Sequence, residues 1–482
     1  MAIDMKSISM KMMGNTTKSE AQLHQAEDKD IAIIGVACKF ASANNKEEFW
    51  NMLERGEDCI RTFPKARQAR GNEFLKHQIR YSKDGGYHVG GYLDEVNEFD
   101  NGIFSISPIE ASLMSPEQRK FLEVAWEAIE DSGYGGNKIR NSKTGVFLGH
   151  SSDFGVPYKE FIDALNPEMS SYAISGNLNS IIASRISYIL NLKGPSINVD
   201  TACSSSLTAI HLACQSLRRK ECDMALVGAA KVDNLPLASI VKKEDEIGIT
   251  SKDGRTKTFD DSSDGTGLGE GIGVVLLKPL NLARKDRDHI YAVIKGSAIN
   301  HDGKSANLTS PNPVAQEKVI VEALKDAKVR PETISYIEAH GTGTKLGDPI
   351  EIKGITAAYQ RYTDKLQYCG IGSVKSNIGH LDNAAGMAGL IKLVLSLQHK
   401  ELPASINFTK PNKNINFEAS PLYVNHTHQK WNTDGKVRRC AISAFGLSGT
   451  NCHMILEEAP VQKAILYSLF IFCRDHQNTI DI

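Results

Sequence analysis

A cysteine followed by three serines marks the first stretch of the sequence that could do chemistry. Pro195 to Val199 reads as a short extended run, and apolar residues then recur at helical spacing, at Leu207, Ile210, Cys214 and Leu217. Cys203 is therefore expected where a strand turns into a helix, at the positive end of the helix dipole, which favours a thiolate. Taken alone, the stretch fits a nucleophile and a buried turn of small residues about equally well, because free cysteine is among the most buried residue types.

Two histidines follow buried strands in the second half of the chain. The apolar run Ile334 to Ala339 leads into His340-Gly341-Thr342-Gly343-Thr344, and Ile371 to Val374 leads into Lys375-Ser376-Asn377-Ile378-Gly379-His380. A further turn, Phe445-Gly446, also ends a strand. Ligands gather at the carboxyl ends of strands in open α/β sheets. A single histidine is more often structural. Two histidines in such turns, together with a cysteine at a strand-to-helix turn, predict one site that contains a thiol and two imidazoles.

Strands and helices alternate along the chain, which predicts an α/β fold with buried sheets. The sequence strand, tight turn and small-residue helix occurs at Val199–Leu217 and again at Ile371–Leu397. This weak internal symmetry predicts a duplicated fold whose two halves each supply part of one site. The Gly-rich stretch 265–273 fits no phosphate-loop spacing and is followed by a strand, so it predicts close backbone packing.

Local signals give bounds for several elements. Ser115-Pro116-Glu117-Gln118 predicts a helix start in which Gln118 completes a capping box, with the helix running to about Asp131. Asp348-Pro349 predicts a second helix start by the same logic. Residues 60–102 are rich in Gly, Lys and Tyr and are expected to form surface loops.

Bulk properties exclude several classes of function. The 482 residues carry a net charge of -1 with both signs mixed, which argues against nucleic-acid binding. Nine cysteines without metal-ligand spacing argue against zinc and a disulfide framework and favour a reducing cytoplasm. Residues 1–28 read as a polar leader, and the apolar run Ala464–Cys473 is too short to span a bilayer.

Three motifs together resemble those of a known family. Asp200-Thr201-Ala202-Cys203-Ser204-Ser205-Ser206, the His340 turn with the preceding Glu338-Ala339, and the Lys375–His380 stretch are similar to the three signatures of β-ketoacyl synthases. They resemble most the ketosynthase domains of bacterial modular polyketide synthases, over residues 29–460. The resemblance implies a thiolase-like fold, with two similar α/β halves (29–290 and 291–460) in a layered αβαβα core, usually as a homodimer. Residues 461–482 form a short tail outside it, from which we expect a stand-alone, split or truncated module.

The resemblance also implies a reaction, a decarboxylative Claisen condensation. Cys203 would accept an acyl chain, and His340 and His380 would stabilise the enolate formed from a malonyl group. Backbone N–H groups of Cys203 and Phe445 would form the oxyanion hole, with the Phe445 side chain as a gate. The supporting residues implied are Lys375 with Glu351 as its ion-pair partner, and Thr342 and Thr344 on the pantetheine arm.

Substrates and partners follow from the same resemblance. No cofactor or metal is expected to be permanently bound, because substrates arrive on the phosphopantetheine of an acyl carrier protein. Two variants, Thr266-Gly267-Leu268 and Cys452 in the last motif, indicate assembly lines whose acyltransferase is a separate protein, alongside other polyketide synthase modules. Two alternatives stay open: a non-condensing protein that only docks carrier protein, and a coenzyme A thiolase, which would need Cys452 as a second catalytic cysteine.

Overall fold

The computed structural model describes residues 29–151, 155–244 and 249–461. The predicted leader 1–28 and the tail beyond Val461 lie outside the described residues. The strands are β1 Ile31–Phe40, β2 Gly90–Gly91, β3 Thr144–Gly149, β4 Ser196–Val199, β5 Met224–Lys231, β6 Leu268–Gly269, β7 Gly271–Pro279, β8 Ala292–His301, β9 Tyr336–Glu338, β10 Cys369–Gly372, β11 Glu401–Leu402, β12 Leu422–Val424, β13 Gln429–Lys430, β14 Arg439–Phe445 and β15 Thr450–Glu458.

Helices fill the connections between these strands. Their bounds are Lys46–Glu54, Lys65–Lys76, Pro108–Leu113, Pro116–Asp131, Tyr158–Leu165, Ile174–Asn177, Asn179–Leu190, Ser205–Arg218, Ala238–Glu244, Leu280–Asp286, Pro313–Ala327, Gly347–Gln360, Lys375–Ile378 and Ala385–His399, with short 3₁₀ turns at Pro167–Ala173, Pro331–Thr333 and Asp382–Ala384.

Eleven strands form one mixed sheet whose order reveals the duplication. The order is β12-β10-β9-β14-β15-β8-β1-β7-β5-β3-β4, and β1 and β8 meet in the middle as antiparallel neighbours. Counted outward from that junction, the first half runs β1-β7-β5-β3-β4 and the second runs β8-β15-β14-β9-β10. If the five strands of each series are numbered in the order in which they occur along the chain, both series have the same spatial order: first, fifth, fourth, second, third. The same connectivity on both sides confirms the duplicated α/β fold.

Three apolar clusters give this fold its layers. Helices Pro116–Asp131 and Asn179–Leu190 cover the outer face of the first half, and helices Pro313–Ala327 and Gly347–Gln360 cover that of the second. Between the halves, apolar residues of helices Ser205–Arg218 and Ala385–His399 join a single core cluster. Both central helices carry small residues, which lets them pack closely between the two halves of the sheet. The two small-residue helices predicted from the sequence are therefore the middle layer.

The helix that begins after Ser115 has the predicted bounds, but its cap is only half of the predicted box. Ser115 Oγ accepts the N–H of Gln118 at 3.3 Å. The Gln118 side chain does not return to the cap; its Nε2 donates to the Ser175 carbonyl, and its Oε1 accepts from Arg185. A tertiary contact has replaced the second capping bond.

Two other local predictions were wrong. Residues 60–102 are not all surface loops, because Lys65–Lys76 is a helix anchored by Arg67, which pairs with Glu270 at 2.6 Å in the interior. Asp348 does not cap the next helix, whose N-cap is Leu346. Both Asp348 oxygens instead accept backbone N–H groups, from Phe259 and Gly343. In each case a buried polar residue has a partner distant in sequence, Glu270 for Arg67 and Phe259 for Asp348. In the described part of the chain, no helix is both long and apolar enough to cross a membrane.

Candidate active site

The Cys203 turn is a sharp, strained connection between β4 and the helix Ser205–Arg218. Ala202 has a φ of 55°, a left-handed conformation that costs a residue with a Cβ energy. The hydroxyl groups of Ser204 and Ser205 donate to the carbonyl oxygens of Thr201 and Ala202 at 2.9 and 2.6 Å, which closes the turn. The predicted strand-to-helix turn is confirmed, and the serines stabilise it.

Gly446 brings a second strand end against this turn. A Cβ at position 446 would collide with the Thr201 carbonyl oxygen and lie 2.8 Å from Ser204 Oγ. The glycine is needed because the backbone after β14 passes directly over the Cys203 turn. This contact carries Phe445, which is 7% exposed, into the site.

The expected thiolate is wrong for the free protein. Burial raises the pKa of the Cys203 thiol to about 12, and the Asp382 carboxylate adds to the rise. A backbone hydrogen bond from Leu447 and the charges of Lys375 and Lys231 oppose it only in part. The helix start is present, but desolvation of the charged sulfur outweighs it. Cys203 is therefore a thiol in the free protein.

The structure brings the predicted chemical groups together. Cys203 Sγ, one ring nitrogen of His380 and one Asp382 oxygen lie within 4.8 Å of one another. The rings of His340 and His380 are 5.6 Å apart at an interplanar angle of 82°, and the His340 ring is 5.7 Å from that of Phe445. The three strand-end turns of the second half thus meet the Cys203 turn of the first.

The Gly-rich stretch holds the backbone of His380. The His380 N–H donates to the Gly267 carbonyl at 2.7 Å, and the Gly269 N–H donates to the His380 carbonyl at 3.0 Å. A Cβ at Gly269 would collide with the Ile378 carbonyl oxygen. This confirms the prediction of close backbone packing and shows what it positions.

The tautomer of His380 follows from one hydrogen bond. The Asp382 backbone N–H donates to His380 Nδ1 at 3.0 Å, so Nδ1 must be the acceptor. Burial, with Lys375 and Lys231 adding to it, lowers the pKa of His380 well below its usual value. A neutral ring with an acceptor at Nδ1 carries its proton on Nε2. His380 therefore presents one N–H donor.

His340 is held by its backbone instead of its ring. Glu351 accepts the N–H groups of His340 and Gly341 at 2.7 and 2.8 Å, one on each oxygen. Burial, followed by the charge of Lys375 and by His380, lowers the pKa of His340 well below its usual value. Among the described residues, its buried Nδ1 has no hydrogen-bond partner. Neither histidine is an imidazolium in the free protein.

The predicted ion pair between Lys375 and Glu351 is wrong. These two described residues are not within 4.0 Å of each other, and the Glu351 oxygens are occupied by the His340 turn. Burial lowers the pKa of Lys375, while Glu338 and Glu351 oppose that shift through space. Glu338 is itself paired with another buried lysine, Lys392, at 2.7 Å. Lys375 is buried, and its charge lowers the pKa of both histidines.

The predicted oxyanion donor at Phe445 is oriented away from the neighbouring strand β15. Gly446 N–H donates to the Thr450 carbonyl at 2.8 Å, so Gly446 and Thr450 form a hydrogen-bonded pair. Phe445 is opposite Asn451 in the next pair along the ladder. Such pairs alternate in an antiparallel ladder, which turns the Phe445 N–H away from β15.

The two threonines lie together beside the His340 turn, and the second cysteine does not. Thr342 and Thr344, both half-buried, have Oγ1 atoms 3.3 Å apart, and Thr344 Oγ1 accepts the Gly347 N–H. Cys452 is fully buried in β15 opposite Ala444, within the apolar core. Its place in the core counts against a thiolase, which needs two catalytic cysteines in one site.

Sequence reasoning missed Lys231 and Asp382 in this site. Lys231 ends the apolar strand β5, and its ammonium pairs with Asp382. The signal available was a single lysine at the end of an otherwise apolar strand. Nothing in the sequence indicated which carboxylate it would meet.

Comparison with known proteins decides the family. The β-ketoacyl synthase N-terminal domain matches residues 28–283, the corresponding C-terminal domain matches 291–409, and the ketoacyl-synthetase C-terminal extension matches 411–473. The chain belongs to the β-ketoacyl synthase family. It resembles ketosynthase domains of bacterial modular polyketide synthases, as the motifs implied.

Individual relatives of this β-ketoacyl synthase agree. It is 42% identical over 93% of its length to polyketide synthase PksN of Bacillus subtilis (strain 168), and 41% identical over 91% to erythronolide synthase EryA3 of Saccharopolyspora erythraea. It covers 8% and 14% of those proteins, so the chain spans only a small part of the curated relatives it matches.

Solved structures give the same family. The ketosynthase from module 6 of the bacillaene synthase of Bacillus subtilis 168 is 42% identical, with a TM-score of 0.79, over 89% of this chain and 72% of that one. Ketosynthase twelve of the bacillaene polyketide synthase of Bacillus amyloliquefaciens is 39% identical, with a TM-score of 0.79, over 90% and 76%. The predicted thiolase-like fold is confirmed.

Proposed function

We propose that this β-ketoacyl synthase catalyses decarboxylative Claisen condensation of an acyl chain on Cys203 with a malonyl group, both delivered by acyl carrier protein. The observation that carries the proposal is the meeting of Cys203 with two neutral histidines. A half-buried thiol can hold an acyl chain, and two uncharged imidazoles can donate hydrogen bonds without protonating a carbanion.

The first half-reaction moves the acyl chain to the enzyme. The Cys203 sulfur attacks the carbonyl of an acyl-pantetheine thioester, its proton passes to the departing pantetheine sulfur, and a new thioester forms. The backbone N–H groups of Cys203 and Phe445 stabilise the tetrahedral oxyanion. One such donor is worth about 3–4 kcal/mol in other enzymes.

The second half-reaction forms the carbon–carbon bond. Malonyl-pantetheine loses carbon dioxide, and the electron pair of the broken bond remains as an enolate. His380 Nε2–H and a nitrogen of His340 donate to its oxygen, while Thr342 and Thr344 bind the pantetheine arm. The enolate carbon attacks the acyl carbonyl on Cys203, and the sulfur leaves and takes a proton from the solvent. The β-ketoacyl product stays on the carrier, so no cofactor is required.

We also propose a homodimer formed through the free edge of the sheet. β4 is the last strand of the first half, and Ile197 on it is 40% exposed. Tyr188, on the neighbouring helix Asn179–Leu190, is 87% exposed. An unpaired edge with apolar side chains is a template for strand pairing, and a twofold axis closes it. Light scattering of the wild type and Ile197→Lys tests this, with a monomeric variant as the expected result.

The remaining partners are inferred from the resemblance. The free thiols among the described cysteines suit a reducing cytoplasm. The variants at 266–268 and at Cys452 support an acyltransferase on a separate protein, with other polyketide synthase modules before and after this step. A tree that groups the chain with ketosynthases next to an integrated acyltransferase would contradict that subtype.

Intact-mass spectrometry tests the proposed reaction. Incubation with an acyl-pantetheine thioester should add one acyl group to the wild type and to Cys452→Ala, and none to Cys203→Ala. Malonyl-carrier protein should then remove the acyl group and yield a β-ketoacyl carrier. Acylation without turnover would contradict condensation and favour a protein that only holds chains. Acylation at Cys452 would favour a thiolase.

A further inference from the structure

An ion pair between a buried lysine and a partly buried aspartate beside Cys203 and His380 has no role in the condensation just described. Lys231, 7% exposed at the end of β5, pairs with Asp382 and lies 3.5 Å from Asp233. β5 belongs to the first half of the fold and Asp382 to the second. The pair therefore connects strand β5, in the same half as Cys203, to the turn that follows His380 in the other half.

Asp382 has a backbone conformation that needs such support. Its φ is 42°, so a residue with a Cβ is in the left-handed region. Strain of this kind persists only where surrounding contacts hold it. Its backbone N–H is the donor to His380 Nδ1, and its Oδ1 lies 4.0 Å from that nitrogen. One of its carboxylate oxygens is within 4.8 Å of Cys203 Sγ.

We infer that Lys231 is a positioning residue, which acts through Asp382 to fix the donor nitrogen of His380 and to balance the charge beside Cys203. With the pair intact, the strained turn keeps its N–H on Nδ1, and the carboxylate is neutralised. Without Lys231, an unbalanced carboxylate faces both the thiol and the imidazole. It would attract the His380 proton to Nδ1, and Nε2 would lose its role as donor.

The charged groups around Cys203 set the direction of each effect. Asp382 raises the pKa of the thiol, whereas Lys375 and Lys231 lower it. Lys231 in turn faces Asp233, Asp382 and Glu270. Removing the negative partner should therefore make Cys203 easier to ionise, and removing the positive partner should make it harder. A purely structural role for the pair would not give shifts of opposite sign.

The test is the pH profile of Cys203 alkylation by iodoacetamide, read by intact mass on the full chain. Asp382→Asn keeps the backbone N–H and should move the alkylation midpoint down by about one pH unit, the size expected for a charge at this distance. Lys231→Met should move it up by a similar amount. The double variant Lys231→Met/Asp382→Asn should return towards the wild-type midpoint.

A matched control breaks a similar pair elsewhere. Lys278 is also a buried strand lysine, bonded to Asp286 and Asp288 at 2.6 and 2.7 Å. Lys278→Met should leave the alkylation midpoint unchanged. Equal shifts in Lys278→Met and Lys231→Met, or shifts of the same sign in Lys231→Met and Asp382→Asn, would overturn the inference. If Lys231→Met does not fold, the inference is supported by a wild-type alkylation midpoint in Lys231→Arg together with a lowered midpoint in Asp382→Asn. An unchanged midpoint in Asp382→Asn would overturn the inference.

A second readout concerns turnover and rests on the proposed function. The condensation kcat should fall about tenfold in Lys231→Met with little change in KM, and Lys231→Arg should restore it. The alkylation profile needs no condensation, so the two can fail separately. Shifted midpoints in a chain that never condenses would contradict the proposed function alone. Normal condensation by Lys231→Met would overturn the inference.

Discussion

The turns that carry His340 and His380 reach the same electrostatic state in different ways. Both histidines are neutral because burial and Lys375 lower the pKa of each ring. The His380 turn fixes the ring, through the Asp382 N–H on Nδ1. The His340 turn fixes only the backbone, through Glu351, and leaves Nδ1 without a partner among the described residues.

This difference gives the two histidines different properties within one site. His380 has its donor nitrogen set in advance, which is the preorganisation that stabilises developing charge at least cost. His340 has its position set but neither tautomer imposed, so a bound substrate can select the one it needs. The Glu351 carboxylate binds backbone N–H groups and so fixes only the position of the His340 ring. The Asp382 N–H binds the His380 ring itself and so also determines which ring nitrogen carries the proton.

The largest expected effect comes from removing the ring at the His340 turn. His340→Ala should lose condensation by about 10²–10³-fold, the cost of one oxyanion donor, while Cys203 still accepts an acyl group. Acylation depends on the sulfur and the backbone donors, which the change leaves in place. Single-turnover condensation and acylation measured side by side check this. A His340→Ala chain that cannot be acylated would assign the ring to the first half-reaction.

A smaller effect should follow from loosening the His340 backbone. Glu351→Gln keeps one acceptor oxygen but replaces the other by an amide, so one of the two N–H bonds is lost. We expect about a tenfold fall in condensation, from a bond worth about 1–2 kcal/mol. Gln360→Glu, at the exposed end of the same helix, serves as a control and should retain wild-type rates.

The same glutamate predicts a pH dependence. Burial raises the pKa of Glu351 to about 7, against the opposing bonds from Gly341 and His340. The carboxylate holds both N–H groups only when ionised, so condensation should fall as the pH drops through about 7 and recover above it. The Glu351→Gln profile should lack this limb. A limb that persists unchanged in Glu351→Gln would assign the titration to another group.

A substitution in the Gly-rich stretch that binds the His380 backbone should mainly change the free energy of unfolding. Gly269→Ala places a methyl group against the Ile378 carbonyl and should lower the free energy of unfolding by about 1–3 kcal/mol, measured by urea denaturation. Gly102→Ala, at an exposed turn without such a collision, is the control. An equally stable Gly269→Ala would contradict the close packing of the two backbones.

The smallest effect is expected at the rim of the His340 turn. Thr342→Ala removes one hydroxyl that we propose binds the pantetheine arm, so KM for carrier-bound malonyl should rise about three- to tenfold with kcat nearly unchanged. The ring geometry of both histidines does not depend on this hydroxyl. A fall in kcat with an unchanged KM would mean that Thr342 supports the turn and does not bind substrate.

Much of this site could be predicted because short stretches of the sequence determine the strands and turns that carry its residues. The helix Pro116–Asp131 has the predicted bounds, and the Cys203, His340 and His380 turns follow from apolar runs ended by small residues. Helix Lys65–Lys76 was missed because Arg67 anchors it to Glu270, far away in sequence. The pKa of Cys203 was predicted in the wrong direction because burial depends on packing between halves. The pairing of Lys231 with Asp382 depends on the same packing, whereas Glu351 accepts from the His340 turn within its own half.

One measurement tests the central claim most directly. The wild-type chain, loaded with one acyl group and freed of excess thioester, is mixed with malonyl-carrier protein, and both proteins are weighed by intact mass over time. We predict that the acyl mass leaves Cys203 at the same rate as a β-ketoacyl mass, the malonyl group less carbon dioxide plus the acyl chain, appears on the carrier. Loss of the acyl group by hydrolysis with no such carrier species would contradict the account.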